Sequence, residues 1–389
     1  MNYYKDVKLY DGVKEVIDLG EYGKYSEMTD FEKSFLLGLV KEKKPSKILE
    51  IGVAAGATTA IISSFIEKEK ESTEIYSVDL NYKMWNDPSL NTGFVLEKCV
   101  KNFKYVKNNL LTGYVAAHWL EKIGGNIDFL ILDTTHTLPG EVLDFLACYP
   151  FLSKDAVVVL HDVALNHTGV SHPESLYEMK YFSSAFATKV LLMSVYAEKY
   201  YMADSINPYQ ISNISAFKLT EETGKYLENV ISSLTLTWDY IPDMLQWLDY
   251  RGIFSKYYEN GLARKLENIY CLQKRADSYR YISSHYKGEI RTFYERWKKS
   301  KDIYIYGCGF LGEKYYFFSK ENNLPLKGMI VSDGVDIKNE WKKIYDCPIY
   351  HLSEVAKISN DAYILIASYG KNYEECLGEC IKNNMTNIF

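Results

Sequence analysis

Two groups of residues in this chain have the types and spacing to do chemistry. The first is a set of carboxylates and imidazoles, Asp133, His136, His161 and Asp162, held in two short segments, ILDTTHT and VLHDV. Paired carboxylates suit a hard divalent cation such as Mg2+ or Mn2+, and an added imidazole extends the set towards transition metals. The same imidazoles can act as general bases, because their ordinary pKa lies near neutrality. The second group is a pair of glycine-bearing turns. KILEIGVAAGATT carries Glu50, Gly52 and Gly56 with small residues such as Ala54 between them, and Asp79 closes the next apolar run. Glycine there lets a ligand approach the backbone, and an acid one strand further on can accept both hydroxyls of a ribose. YIYGCGFLG carries a full G-x-G-x-x-G at Gly307, Gly309 and Gly312, with Asp333 ending the following apolar run. That is the spacing of a dinucleotide turn.

These residues need a scaffold that gathers strand ends. The runs KILEIGV, EIYSVDL, FKYVKN, IDFLILD and AVVVLHDV alternate with helix-length segments, the pattern of a parallel α/β sheet covered on both faces. In such a sheet the C-terminal strand ends converge on one rim, so Asp133, His136, His161 and Asp162 are expected beside one ligand crevice. Residues 27–43 place Phe31, Phe35, Leu36 and Val40 at helical spacing, with Thr29 or Asp30 as N-cap, which predicts a lid or packing helix. KVLLMSVYA and NISAFKLT read as two further strands. The loop after Asp162 adds His167 and His172 and is placed to close over an acceptor. Between residues 221 and 299, Leu227, Val230, Ile231 and Leu234, then Leu262, Leu266, Ile269 and Leu272, recur at helical spacing. A second, smaller α/β unit begins at residue 302.

Composition excludes several classes. The 389 residues carry a net charge of -6, so no global positive field exists to hold nucleic acid or an anionic membrane. No run approaches the roughly 20 apolar residues of a membrane span. Seven cysteines without a C-x-x-C pair indicate neither a disulfide framework nor a structural zinc site. The expectation is a cytoplasmic protein with a small-molecule or glycan substrate, and a homo-oligomer is compatible with it. Tyrosine is in excess, 35 beside 17 Phe and 6 Trp. An aromatic body with a polar tip suits half-buried interfaces.

The first turn, Glu50-Ile51-Gly52-Val53-Ala54-Ala55-Gly56 with Asp79 closing the next strand, resembles the first motif of the class I S-adenosylmethionine (SAM) dependent methyltransferases. Asp133, His136 and the pair His161-Asp162 resemble the metal-assisted branch that includes the cephalosporin hydroxylase-like and macrolide sugar O-methyltransferase families. Thr134 and Thr135 stand where that branch often has Gly or Asp. The resemblance implies a Rossmann-like methyltransferase fold at 1–222, a helical connector at 223–299 and a small Rossmann-like module at 301–389. It implies SAM contacts from Glu50, Gly52, Ala54, Gly56, Thr58, Asp79 and Asp133, with Asn109 (or Asn108) at the end of YVKNNLLTG reaching adenine. It implies Mg2+ or Mn2+ on Asp133, His161 and Asp162, proton removal by His136 or His161, and O-methylation of a sugar or glycan hydroxyl. The second turn resembles modules of bacterial surface-sugar-modifying enzymes, which implies a nucleotide or nucleotide-sugar at Gly307, Gly309, Gly312 and Asp333. Taken alone, that turn also admits an NAD(P)-linked oxidoreductase or a non-catalytic nucleotide-sugar-binding or assembly protein.

Overall fold

The computed structural model describes residues 4–16, 19–168, 174–202, 212–359 and 361–389, so His172 lies outside the described residues. The chain divides into two compact units, Met1–Tyr240 with Gln246–Leu266, and Ile241–Leu245 with Glu267–Phe389.

The first unit runs, in chain order, through β1 (Tyr4–Lys5), α1 (Asp30–Lys43), β2 (Lys47–Ile51), α2 (Ala57–Glu69), β3 (Thr73–Asp79), α3 (Phe94–Cys99) and β4 (Val106–Thr112). It continues through α4 (Ala116–Ile123), β5 (Ile127–Leu132), α5 (Gly140–Cys148), β6 (Leu152–His161), α6 (Leu165–Thr168), α7 (Leu176–Ser184) and α8 (Ala187–Ser194). β7 (Glu198–Tyr200), β8 (Ile214–Lys218), α9 (Leu227–Ser233) and most of α10 (Met244–Tyr257) complete it. Eight strands form one sheet in the order β1-β7-β8-β6-β5-β2-β3-β4. β4, β3, β2, β5 and β6 are mutually parallel, and β8 runs antiparallel to β6 and β7. This is the mixed, mostly parallel α/β sheet that the alternation of apolar runs predicts. Its central strands are apolar throughout because helices cover both faces: Ile48, Leu49, Phe129, Leu130, Ile131 and Val158 to Leu160 are all buried. Each such side chain contributes roughly 1.5–3 kcal/mol on leaving water.

Helix α1 begins at a complete capping box. Thr29 Oγ1 accepts from Glu32 N at 3.2 Å, and Glu32 returns an acceptor to Thr29 N at 2.6 Å. Phe35, Leu36 and Val40 are buried, so this is a packing helix. KVLLMSVYA differs from its expectation: Ala187–Ser194 is the helix α8, and the strand follows at Glu198–Tyr200. Leu and Met are good helix formers, and Ala187, Thr188, Leu191 and Leu192 bury one helical face. A short apolar run cannot be told from a buried helix by periodicity alone.

In the second unit, α11 (Asn260–Tyr286) supplies its residues from Glu267 onward, followed by α12 (Ile290–Lys299), β9 (Ile303–Tyr306), α13 (Phe310–Glu321) and β10 (Gly328–Val331). Then come α14 (Asn339–Ile344), β11 (Ile349–His351), α15 (Leu352–Ile358), β12 (Tyr363–Ile366) and α16 (Gly370–Lys382). Its four strands are parallel, in the order β11-β10-β9-β12. The stretch expected as a connector at 223–299 is shared out between the units instead of forming a body of its own. The physical reason is burial: Val230, Ile231, Trp247 and Phe254 are covered in the first unit, and Ile282, Phe293 and Trp297 join the core of the second. Buried tyrosines find partners for their hydroxyls, as Tyr250 does on Asp144 at 2.7 Å and Tyr345 on the Cys308 carbonyl at 2.9 Å. Among the described residues, no helix is long and apolar enough to cross a membrane.

Candidate functional site

The first glycine turn leaves β2 where the strand order switches, with β5 on one side and β3 on the other, the position where open α/β sheets form a ligand crevice. Gly52 has φ +90°, and a Cβ there would lie 1.8 Å from the Asp133 carbonyl oxygen. Only glycine lets β2 and β5 end this close together. Gly56, at φ +84°, is the N-cap of α2. Asp79 reaches back to this turn: its Oδ2 accepts from Val53 N at 2.9 Å and Ala54 N at 3.0 Å, while Oδ1 accepts from Asn81 N at 2.8 Å. Ala54 itself sits at φ +45°, a left-handed conformation that an L-residue holds only when its surroundings fix it.

Glu50 points behind the turn. It is buried and accepts from Thr59 Oγ1 and from Ser77 Oγ at 3.3 Å. Burial pushes its carboxyl up to about 8, against those hydrogen bonds. Thr58 is half-buried in the first turn of α2, and it is Thr59, a residue the sequence reading passed over, that meets Glu50.

Asp133, His136, His161 and Asp162 do come together, at the ends of β5 and β6. One oxygen or nitrogen from each of Asp133, His136 and Asp162 lies within 4.8 Å of the others. His136 Nε2 is 3.2 Å from Asp162 Oδ2, and His161 Nδ1 is 3.1 Å from Asp133 Oδ1. His161 stands behind this group, with Nε2 3.6 Å from Glu32 Oε1 of α1. His136 thus stands beside the expected Asp133, His161 and Asp162, and His161 Nδ1 also lies 3.5 Å from Asp162 Oδ2. His136 and Asp162 both adopt positive φ, +57° and +58°, and backbone held in this region concentrates at functional sites.

Acids missed in the sequence surround the cluster. Glu141 of α5, fully buried, accepts from Thr134 N at 3.2 Å and His136 N at 2.8 Å. Asn213 Nδ2 donates to Asp162 Oδ1 at 2.6 Å. Burial works against charge on His136, yet Glu141, Asp162 and Asp133 outweigh it and lift the imidazole to about 9. His161 is raised for the same reason, chiefly by Asp133 and Asp162. Burial raises Glu27, and the charges of Asp133 and Asp162 add to it. The site is one in which carboxylates call for positive charge. Above it, Tyr181 of α7 donates to the Thr135 carbonyl at 3.2 Å, and its ring stacks with Tyr177 at 6.3 Å and 7°. His167 lies in α6 and has Asn166 as its near neighbour at 3.5 Å.

Asn109 is not brought to this rim. β4 begins at Val106 and runs on to Thr112, later than FKYVKN suggests. Asn109 therefore lies within the strand opposite Tyr76, donating to the Ile75 carbonyl at 3.3 Å. Asn108 accepts from Ser63 Oγ at 3.0 Å. Thr112 and Gly113 hold the level of Asp79.

The second turn also sits at a switch point, between β9 and β12. A Cβ on Gly312 would lie 1.9 Å from the Gly307 carbonyl oxygen, whereas one on Gly309 would meet nothing within 4 Å. Asp333 faces away from its turn and accepts from Ser353 N, in the first turn of α15, at 3.2 Å.

Residues 49–163 match a family described as a methyltransferase domain. No curated protein matches the chain. Among solved structures, the chain is similar to the methyltransferase PaMTH1 of Podospora anserina bound to SAH, at 15% identity over 56% of this chain and 91% of that one, with a TM-score of 0.38. It is similar to the O-methyltransferase TomG of Streptomyces achromogenes, involved in tomaymycin synthesis and solved with SAM, at 15% identity over 55% and 92% of the two chains and a TM-score of 0.37. An O-methyltransferase of Bacillus cereus in complex with SAH follows at 15% identity, 54% and 91% coverage and a TM-score of 0.36. The matched stretch, residues 49–163, lies within the first unit.

Proposed function

We propose that the first unit is a SAM-dependent O-methyltransferase acting on a hydroxyl of a sugar or glycan precursor, with a divalent cation at the acceptor side. The observation that carries this reading is adjacency: the Gly52 turn is pressed against the Asp133 backbone, so a cofactor turn and a polar donor cluster share one rim.

Gly52 and Gly56 keep the turn clear of side chains, and Ala54 and Thr58 line it. A carboxylate has roughly four acceptor positions, and Asp79 gives three of them to Val53, Ala54 and Asn81. The remaining one, on Oδ1, is left for a ribose hydroxyl. Glu50 is a positioning residue that ties α2 to β3 through Thr59 and Ser77. SAM, when bound, supplies a methyl group on a sulfonium, open to in-line attack by a hydroxyl oxygen.

Asp133, His136 and Asp162 have the donor chemistry and spacing to hold Mg2+ or Mn2+. His136 Nδ1 faces Glu141 Oε1 at 3.4 Å, and Nε2 is the nitrogen turned to the other two ligands, 3.2 Å from Asp162 Oδ2 and 4.0 Å from Asp133 Oδ1. Such a cation, when bound, lowers the pKa of a coordinated hydroxyl. Asn213 fixes Asp162 through Oδ1 and leaves Oδ2 on the His136 side. His161 orients Asp133 from the buried side. The surrounding carboxylates lift His136 to about 9, so it must give up its proton before it can serve either as a ligand or as a base. The stacked Tyr177 and Tyr181 offer an aromatic face to the apolar side of a sugar ring.

The test is calorimetry of the purified chain with SAM and S-adenosylhomocysteine, followed by transfer of labelled methyl from SAM to a panel of sugars and glycan precursors. Binding of SAM, and turnover that EDTA abolishes and Mg2+ or Mn2+ restores, is the expected result. Chelator-insensitive turnover removes the cation, and absence of SAM binding ends the proposal.

A further inference from the structure

The second unit contains a cavity of about 460 Å³ at the carboxyl end of β9, within the range of about 300–1,000 Å³ that small-molecule sites occupy. Three aromatic rings face it, Phe310 and Phe317 of α13 and Trp341 of α14. Each carries a lysine ammonium on one side: Lys314 lies 4.1 Å from the Phe310 ring centre, Lys274 lies 4.3 Å from Phe317, and Lys338 lies 5.3 Å from Trp341. Phe310 is nevertheless 60% exposed, so a broad part of its ring is free.

The charges in the wall decide what kind of molecule fits. Lys274, Lys314 and Lys338 are balanced by Asp243, Asp277 and Glu313. Two of the lysines are already committed: Lys274 pairs with Glu313 at 2.6 Å, and Lys314 pairs with Asp277, with both lysine side chains only 7% exposed. A phosphate could recruit either of these two ammonium groups only by displacing Glu313 or Asp277 from an ion pair whose lysine is nearly buried. A hydroxyl asks for no such exchange. It can accept one of the remaining ammonium protons and donate to a remaining carboxylate lone pair while the ion pair stays intact. A lining of three lysines and three acids beside the exposed ring of Phe310 suits a neutral sugar.

We propose that this cavity binds a neutral saccharide, in preference to the nucleotide that the Gly307, Gly309, Gly312 spacing suggests by itself. This inference stands whether or not the first unit transfers methyl groups.

The experiment is titration of the full chain, read by tryptophan fluorescence and calorimetry, with glucose, galactose, mannose, rhamnose and N-acetylglucosamine. AMP, UDP and NAD are titrated in parallel. Saturable binding of at least one sugar is expected, weakened about tenfold or more by Phe310→Ala, the loss typical of a central aromatic contact, and by Trp341→Ala. SAM affinity should be unchanged in both variants. Phe310 is mostly exposed, so its truncation leaves the fold standing. If UDP, AMP or NAD saturates the cavity and no sugar does, or if none of these sugars binds, or if Phe310→Ala and Trp341→Ala leave sugar binding unaltered, the proposal is overturned.

Discussion

The two glycine turns begin from nearly the same local plan, and the structure puts them to different uses. Each follows an apolar parallel strand at a switch point of its sheet and opens a helix. In the first, Asp79 folds back onto Val53 N and Ala54 N and makes acid and turn one unit. In the second, Asp333 leaves its turn for Ser353 N. The glycines differ in the same sense. Gly52 is required by the approach of the Asp133 backbone, next to a cluster of ionisable groups, whereas Gly312 is required by the Gly307 carbonyl within its own turn. A glycine motif therefore reports close backbone approach, and what approaches is decided by the neighbouring strand and by where the following acid points.

The largest expected effect tests that contrast directly. Gly52→Ala and Gly312→Ala each force a Cβ to within 2 Å of a carbonyl oxygen and should lose about 3 kcal/mol or more of stability, read by thermal or urea unfolding. Gly309→Ala should stay within about 1 kcal/mol. An equal loss at Gly309 would mean that Gly309 is as closely packed as Gly312. Next, Asp162→Asn keeps a residue that tolerates the left-handed backbone at φ +58° while removing the charge facing His136. Methyl transfer should fall about 100-fold or more with SAM affinity kept; unchanged turnover would detach the cluster from the chemistry.

Asp79→Ala should weaken SAM about 100-fold by calorimetry, near 2.7 kcal/mol, and Asp333→Ala should leave SAM affinity as it is. Equal responses would erase the difference between the two acids. The smallest effect concerns Glu50. Its folded pKa, about 8, lies above the ordinary 4.5, so the folded state holds the proton more tightly. Its contribution is complete below about pH 4.5 and is lost as pH rises through about 8. The urea midpoint of the wild type should fall between about pH 5 and pH 8 more steeply than that of Glu50→Gln.

Much of the scaffold is legible in the residues. The five apolar runs, the Thr29-capped helix and the β8 strand depend on local patterning, and the structure contains them all. The swap of KVLLMSVYA from strand to α8, and the late start of β4 that leaves Asn109 inside the sheet, come from tertiary packing that local periodicity does not register. In the candidate site, Asp133, His136, His161 and Asp162 are strand-end residues, and a parallel sheet gathers strand ends. Glu32, Glu141 and Asn213 were not visible because they arrive from α1, α5 and the segment before β8, and only the fold brings them near.

The amino-acid order determined the alternation that makes a parallel sheet, and with it the rim where one turn and four ionisable side chains must meet. Only the tertiary structure decided how the two imidazoles share the carboxylates, which acid closes which turn, and how the charges lining the second unit's cavity pair. Strand ends follow from short-range periodicity, whereas the direction of a side chain is set by backbone approaches within about 4 Å between residues far apart in the chain.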